Sequence, residues 1–225
     1  MKIYNLNDSV SEEAGDFDAE KNEAVLKITD IRQGVKNTNR ANVFVNGKFS
    51  FSLDIAQLVD LKLKVGEEIS EEELAECKRM SEFGKLYQRT LEWVLTRPRS
   101  EKEVSDYLYK KVYEKKLDKG YINSIVEKLK SKKYVDDEAF ARWYAENRFV
   151  KKGVSAKRLK LELAKKGVAR EIVERVLEDS ERSDEDEIRK VIAKKRAKYD
   201  DDKLIQYLCR QGFDFELVKN LVNES

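Results

Sequence analysis

Histidine is absent from the 225 residues, and proline occurs once, at Pro98. The first absence removes the usual proton acceptor at neutral pH and the commonest nitrogen ligand for metals. The nine glycines are scattered, so no glycine-rich phosphate loop can be assembled from them. Cys77 and Cys209 stand far apart in the chain, which supports neither a disulfide framework nor a metal motif, and Cys209, next to Leu208 on an apolar helix face, reads as packing. No apolar run approaches the roughly 18 residues of a membrane span, and the polar first residues do not read as a signal peptide. These absences predict a cytoplasmic protein that is not an enzyme and carries no cofactor or metal.

Charge is abundant and unevenly placed. Charged residues make up 40% of the chain, yet the net charge is only +2. Residues 1–80 carry a net charge of −5 and the remainder +7. Between Arg142 and Arg170 there are ten basic residues and two acids, Glu146 and Glu162. Residues Glu171 to Glu187 then carry nine acids against Arg175 and Arg182, after which Arg189, Lys190, Lys194, Lys195, Arg196 and Lys198 restore the positive sign. Such blocks give a banded surface potential that steers charged partners and is screened over roughly 10 Å at ordinary salt.

The same helical pattern is written more than once. At an offset of 45 residues, Ser155 matches Asp200, Leu159 matches Leu204, Leu163 matches Leu208, Gly167-Val168 matches Gly212-Phe213, Ile172 matches Leu217 and Val176 matches Leu221. An earlier copy aligns Ser100, Val104 and Leu108 with Ser155, Leu159 and Leu163 at an offset of 55, and Ile125, Val126 and Leu129 with Ile172, Val173 and Val176 at 47. The difference places eight extra residues around Tyr113 to Gly120. Each copy reads as three helices, in the middle one near 136–151, 155–166 and 169–179, with Gly167 and Gly212 as left-handed helix stops. Repeats of this size stack one supersecondary unit on the next and offer a surface for partners rather than a catalytic pocket.

The first residues follow another period. Residues 1–22 are acidic, with Glu12, Glu13, Asp16, Asp18 and Glu20 and few apolar anchors, and are expected to be loosely ordered. Ala24 to Ile31 alternates as a strand, and Val43-Phe44-Val45 and Phe49 to Leu53 flank Asn46-Gly47, a strong hairpin signal because both turn positions need positive φ. Ile55, Leu58, Val59 and Leu61 have helical spacing, and Ser70 with Glu73 forms a capping box for a long helix that either continues or breaks near Gly84. The expected fold is therefore mainly α. Three tandem three-helix repeats in an elongated arrangement, at 81–135, 136–181 and 182–225, follow a small hairpin-containing α+β domain at 23–80.

The candidate site is the middle-repeat basic cluster: Arg142, Arg148, Lys151, Lys152, Lys157, Arg158, Lys160, Lys165, Lys166 and Arg170. These cations either contact a partner or form a solvated face, and Arg148 has the further option of a salt bridge to Asp136 or Asp137. Asp136-Asp137-Glu138 reads as a helix start rather than a metal site, since acids there favour the helix dipole, and so do the acids at 184–187. Phe140, Trp143 and Tyr144 read as core rather than as a base-stacking platform. Trp93 with Leu86, Thr90 and Val94 is read the same way, and so are Phe213 and Phe215.

The residues of the repeats also carry a family likeness. Tyr134-Val135-Asp136-Asp137-Glu138-Ala139-Phe140-Ala141, then Arg148, Lys152-Gly153, Arg158-Leu159, Glu162-Leu163 and Lys166-Gly167-Val168, resembles the central repeat of RecX regulatory proteins. Arg97-Pro98-Arg99-Ser100 with Glu103 and Leu108 resembles the first repeat of that family, and Leu208 with Gln211-Gly212-Phe213 the last. The resemblance spans about 82 to 223, and the hairpin segment at 24–53 is similar to the amino-terminal extension of longer members. The eight extra residues depart from the pattern. The resemblance implies a monomeric, non-enzymatic modulator of the RecA recombinase in DNA repair, recombination and the SOS response. Such a modulator lies in the groove of the RecA filament on single-stranded DNA and limits its extension or activity. A stand-alone, sequence-independent DNA-binding module and a general repeat scaffold of the armadillo or HEAT kind are the alternatives.

Overall fold

The computed structural model describes residues 25–35, 37–180 and 183–224, with the side chains of residues 149–152 excepted. The acidic segment 1–22 and the start of the expected first strand at Ala24 lie outside the described residues. The chain divides into two compact units, residues 1–77 and 78–225.

In the first unit, β1 (Ile28–Gln33), β2 (Arg40–Val45) and β3 (Lys48–Asp54) form an antiparallel meander in chain order. Asn46 and Gly47 turn the β2–β3 hairpin at φ 49° and 77°, as the sequence predicts. Asn46 also accepts the Lys27 N–H at 2.9 Å. Ile28, Ala41, Val43, Val45, Phe51 and Leu53 are buried on one face. β1 begins later than its alternation suggests, because Leu26 and Ile28 bond to the backbone of Ile69, Glu67 and Gly66 instead, which covers that sheet edge. α1 (Ile55–Asp60) starts at Asp54, and α2 (Glu71–Val94) starts at the Ser70–Glu73 capping box. α2 continues through Gly84 without a break.

The second unit contains three helix triplets. The end of α2, α3 (Glu101–Lys115) and α4 (Gly120–Ser131) surround one core, which includes Leu86, Val104, Leu108, Ile125 and Leu129. α5 (Asp137–Lys152), α6 (Ala156–Lys165) and α7 (Arg170–Glu178) enclose Phe140, Leu159, Leu163, Val168, Val173 and Val176. α8 (Asp184–Lys195), α9 (Asp201–Arg210) and α10 (Phe215–Asn223) enclose Ile188, Leu204, Leu208, Phe213, Val218 and Leu221. The leucines matched at an offset of 45 thus occupy equivalent core positions, and Ser100, Ser155 and Asp200 cap equivalent helices. The eight extra residues leave the turn between α3 and α4 unchanged in length. They lengthen α3 to 15 residues against 10 in α6, and α4 to 12 against 9 in α7.

The aromatic stripe of α5 is core: Phe140 is fully buried, and Trp143 and Tyr144 pack beside it. Trp93 is half-buried against the first core, stacked on Tyr107 at 4.3 Å with the Arg99 guanidinium 3.9 Å from its ring. Phe213 is buried, but Phe215 is not, being 52% exposed. Phe215 corresponds to Arg170 of the middle repeat, an outward position in the first turn, and Phe213 already fills the core beneath the turn.

Candidate functional site: a basic cleft between the second and third repeats

Two capping residues join each repeat to the next. Asp137 accepts the N–H of Glu101 at 2.8 Å, and Asp184 accepts the N–H of Ala156 at 2.9 Å. Ser100 donates to the carbonyl of Lys166 and Ser155 to that of Gln211, at 2.8 and 3.2 Å. Asp136 caps its own helix through Glu138 and Ala139. Asp136 and Asp137 are therefore occupied with backbone N–H groups, and among the described residues no acid, cysteine or histidine cluster suits a metal. Burial pushes the Asp137 carboxyl above its usual range, and the neighbouring Glu101 and Asp136 charges push the same way.

This stacking leaves a cleft of about 630 Å³ between the second and third repeats. Arg148 and Arg158 line one side, and Lys190, Lys194, Lys195 and Lys198 the other; Glu187 is its one carboxylate among the described residues. Lys190 is held by Glu187 at 3.1 Å, and Lys195 lies 4.5 Å from the centre of the Tyr207 ring. Lys194 and Lys198 are exposed, and their side chains have no hydrogen bond or ion pair among the described residues.

Glu162 organises the arginine side. Its carboxylate accepts from Arg148 Nε at 2.7 Å, Arg148 Nη2 at 2.6 Å, Tyr144 Oη at 3.0 Å and Arg158 Nε at 3.2 Å. Burial works to raise the Glu162 pKa, but these hydrogen bonds outweigh it and hold the carboxyl below its usual range. The expected pairing of Arg148 with Asp136 or Asp137 is thus corrected. Those acids are bound to backbone N–H groups, whereas Glu162 presents two oxygens to the guanidinium fork. Arg158 also reaches the third repeat, donating from Nη1 to the carbonyl of Arg210 at 2.9 Å and to Gln211 Oε1 at 3.2 Å.

The ten cations proposed from the sequence therefore divide. Arg142 pairs with Glu138 and Asp179, Lys166 with Glu103 of the first repeat, and Arg170 with Glu174. Arg148 and Arg158 line the cleft. Lys157 borders a smaller adjoining pocket with Arg158, Leu161, Cys209 and Phe213. Lys157, Lys160 and Lys165 are exposed, with no side-chain hydrogen bond or ion pair among the described residues. The side chains of Lys151 and Lys152 lie outside the described residues. The α8 side of the cleft is not among those ten cations. Its signal was the lysine run with Lys190, Lys194 and Lys198 four residues apart, which places them on one helical stripe.

Fold and cleft define a class, helical-repeat proteins with a cation-lined cleft between successive repeats. Comparison with known proteins narrows it. The description "Regulatory protein RecX N-terminal domain" matches residues 26–70, and "RecX, second three-helix domain" matches 136–177. Regulatory protein RecX of Oceanobacillus iheyensis is 31% identical, over 88% of this chain and 76% of its own. That of Listeria monocytogenes serovar 1/2a is 30% identical, over 89% and 76%. A crystal structure of regulatory protein RecX covers 89% of this chain and 100% of its own, with a TM-score of 0.66 at 22% identity. One of RecX from Lactobacillus salivarius covers 63% and 95%, with a TM-score of 0.50. The chain belongs to the RecX family of regulatory proteins.

Proposed function

We propose that this protein is a non-enzymatic inhibitor of the RecA recombinase that binds the RecA filament on single-stranded DNA and limits its extension or activity. Family membership supports a RecA regulator, and the observation that carries the binding mode is the cleft with Lys194 and Lys198 exposed opposite Arg148 and Arg158. Phosphates, spaced regularly along a strand, suit such a surface, because each contact releases condensed counterions. Lys157, Lys160 and Lys165 extend the cationic surface of the middle repeat. The protein acts as a cytoplasmic monomer; among the described residues no helix is long and apolar enough to cross a membrane.

The test is RecA ATP hydrolysis on single-stranded DNA as the protein is titrated in, with binding of the protein alone to the same DNA followed in parallel. A fall in hydrolysis at protein well below the recombinase concentration is expected, and the double variant K194A/K198A should need several-fold more protein. Unchanged hydrolysis together with tight binding to bare DNA would replace this reading with a stand-alone DNA-binding module.

A further inference from the structure

Arg148 and Arg158 line the cleft, yet neither is a free cation. Both are held by Glu162, whose carboxylate accepts three guanidinium hydrogen bonds of 2.6 to 3.2 Å. The opposite wall is mixed: Glu187 holds Lys190, but the side chains of Lys194 and Lys198 have no such partner among the described residues. An entering phosphate therefore meets two lysines that cost only desolvation and two arginines already bound to an internal anion.

We infer that Glu162 is a positioning residue that acts as a built-in counter-anion, competing with the phosphodiester backbone for Arg148 and Arg158 and so limiting how tightly the cleft holds a strand. This deepens the proposed function and rests on the cleft being the surface that faces the strand. Three features favour competition over a purely structural pair. Glu162 lies between arginines from two helices, α5 and α6, so releasing either one leaves it the other. Tyr144 also donates to it at 3.0 Å, so the carboxylate keeps a partner when Arg158 swings away. The Arg158 contact is the longest of the four, and Arg158 Nη1 already points across the repeat boundary to Arg210 and Gln211. With its single longer bond to Glu162, Arg158 is the arginine the carboxylate releases first, ahead of the bidentate Arg148.

The experiment measures binding of the full chain to a fluorescent oligo(dT) by anisotropy over a range of salt, for the wild type, E162Q, R148Q/R158Q and the triple variant. Thermal melts confirm that each is folded. E162Q is expected to bind several-fold tighter at moderate salt, with a log–log salt slope steeper by about 0.7 for each arginine released to a phosphate on a single strand. In the R148Q/R158Q background the gain from E162Q should shrink to a small through-space effect with no change of slope. Folded E162Q that binds equally or more weakly overturns the inference, and so does a gain that survives loss of both arginines. Should E162Q alone fail to fold, Y144F provides the second reading: the weakened hold on the carboxylate tightens its grip on the arginines, and binding falls slightly. An unchanged Y144F would then count against the idea. Failure of the broader function is distinguishable, since it would leave RecA hydrolysis untouched by every variant while these DNA affinities still moved.

Discussion

The Ser155 hydroxyl donates to the Gln211 carbonyl at 3.2 Å while accepting the Arg158 N–H at 3.1 Å, so one buried side chain both starts α6 and ties the second repeat to the third. Ser100 does the same one repeat earlier, between Glu103 and Lys166. At the matching register of α9 stands Asp200, an acceptor only, whose carboxylate is bound by Lys203 of its own helix. A hydroxyl occupies the two positions where the side chain has to donate as well as accept. Ser155→Ala is therefore expected to cost about 1–2 kcal/mol, the usual cost of a lost cap with a buried carbonyl left unpaired besides. Ser155→Asp separates the two roles, keeping the cap but setting a carboxylate against the Gln211 carbonyl. Urea unfolding should find Ser155→Asp no more stable than Ser155→Ala; a fully restored midpoint would show that the inter-repeat bond contributes nothing.

The glycine of each later repeat is bound into the same junction. Gly212 has φ 92°, and a Cβ there would sit 2.7 Å from Ser155 Oγ; at Gly167, φ is 82° and the nearest atom is Lys102 Cβ, also at 2.7 Å. A left-handed conformation alone costs an L-residue about 1 kcal/mol, and displacing a neighbouring repeat adds to it. Gly212→Ala should lower stability by about 1–3 kcal/mol. The first repeat ends its equivalent helix with Lys116 at φ 54°, where no glycine is present. Lys116→Gly is expected to be neutral or stabilising by up to about 1 kcal/mol, the opposite sign to Gly212→Ala, with thermal melts as the measurement.

Acid should destabilise the repeats through two glutamates. Burial opposes ionisation of Glu162, but the bonds from Arg148, Tyr144 and Arg158 prevail; at Glu103 burial is likewise outweighed, by Lys166 and Arg97. Both carboxyls have folded pKa values below their unfolded ones. Their contribution is complete above the ordinary glutamate range and is lost as pH falls through the depressed folded values. Asp137 runs the other way, since its raised folded value means that protonation on the way down favours the folded state. Between about pH 7 and about pH 3, urea midpoints should drop less steeply for E162Q than for the wild type and more steeply for D137N. Parallel curves for all three would exclude these groups from the acid limb.

Much of the fold was legible because the repeat spacing is a direct record of which faces are buried. Leu159 and Leu204, or Val168 and Phe213, fill equivalent places in separate cores, and a period of 45 residues shows this without coordinates. The hairpin was legible for a different reason, since Asn46-Gly47 satisfies a local backbone requirement. The site was less so. A run of charge tells which residues are cationic but not which are already neutralised: the partners of Arg148 and Lys166 lie 14 and 63 residues away, and the second partner of Arg142, beside Glu138, lies 37 away. Phe215 shows the same limit at the core boundary, because the helical spacing that places it beside Val218 does not reveal that Phe213 has filled the space first.

The division between paired and unpaired cations yields a final prediction about where binding energy comes from. A cation already bound to a carboxylate contributes little to counterion release, since its exchange for a phosphate breaks one ion pair to form another. Lys194 and Lys198 are unpaired and line the cleft, whereas the half-buried Arg142 and the exposed Arg170 are bound to Asp179 and Glu174. K194A/K198A should therefore flatten the salt dependence of oligo(dT) binding by about 1.4, near 0.7 for each lysine that no longer reaches a phosphate of the single strand. R142A/R170A removes the same formal charge and should change that slope far less. Lys160 and Lys165 separate cleft geometry from charge alone, being unpaired yet outside the lining. If K160A/K165A flattens the slope as much as K194A/K198A, the strand follows the whole cationic face of the middle repeat rather than the cleft; if it does not, the cleft is where the phosphates sit.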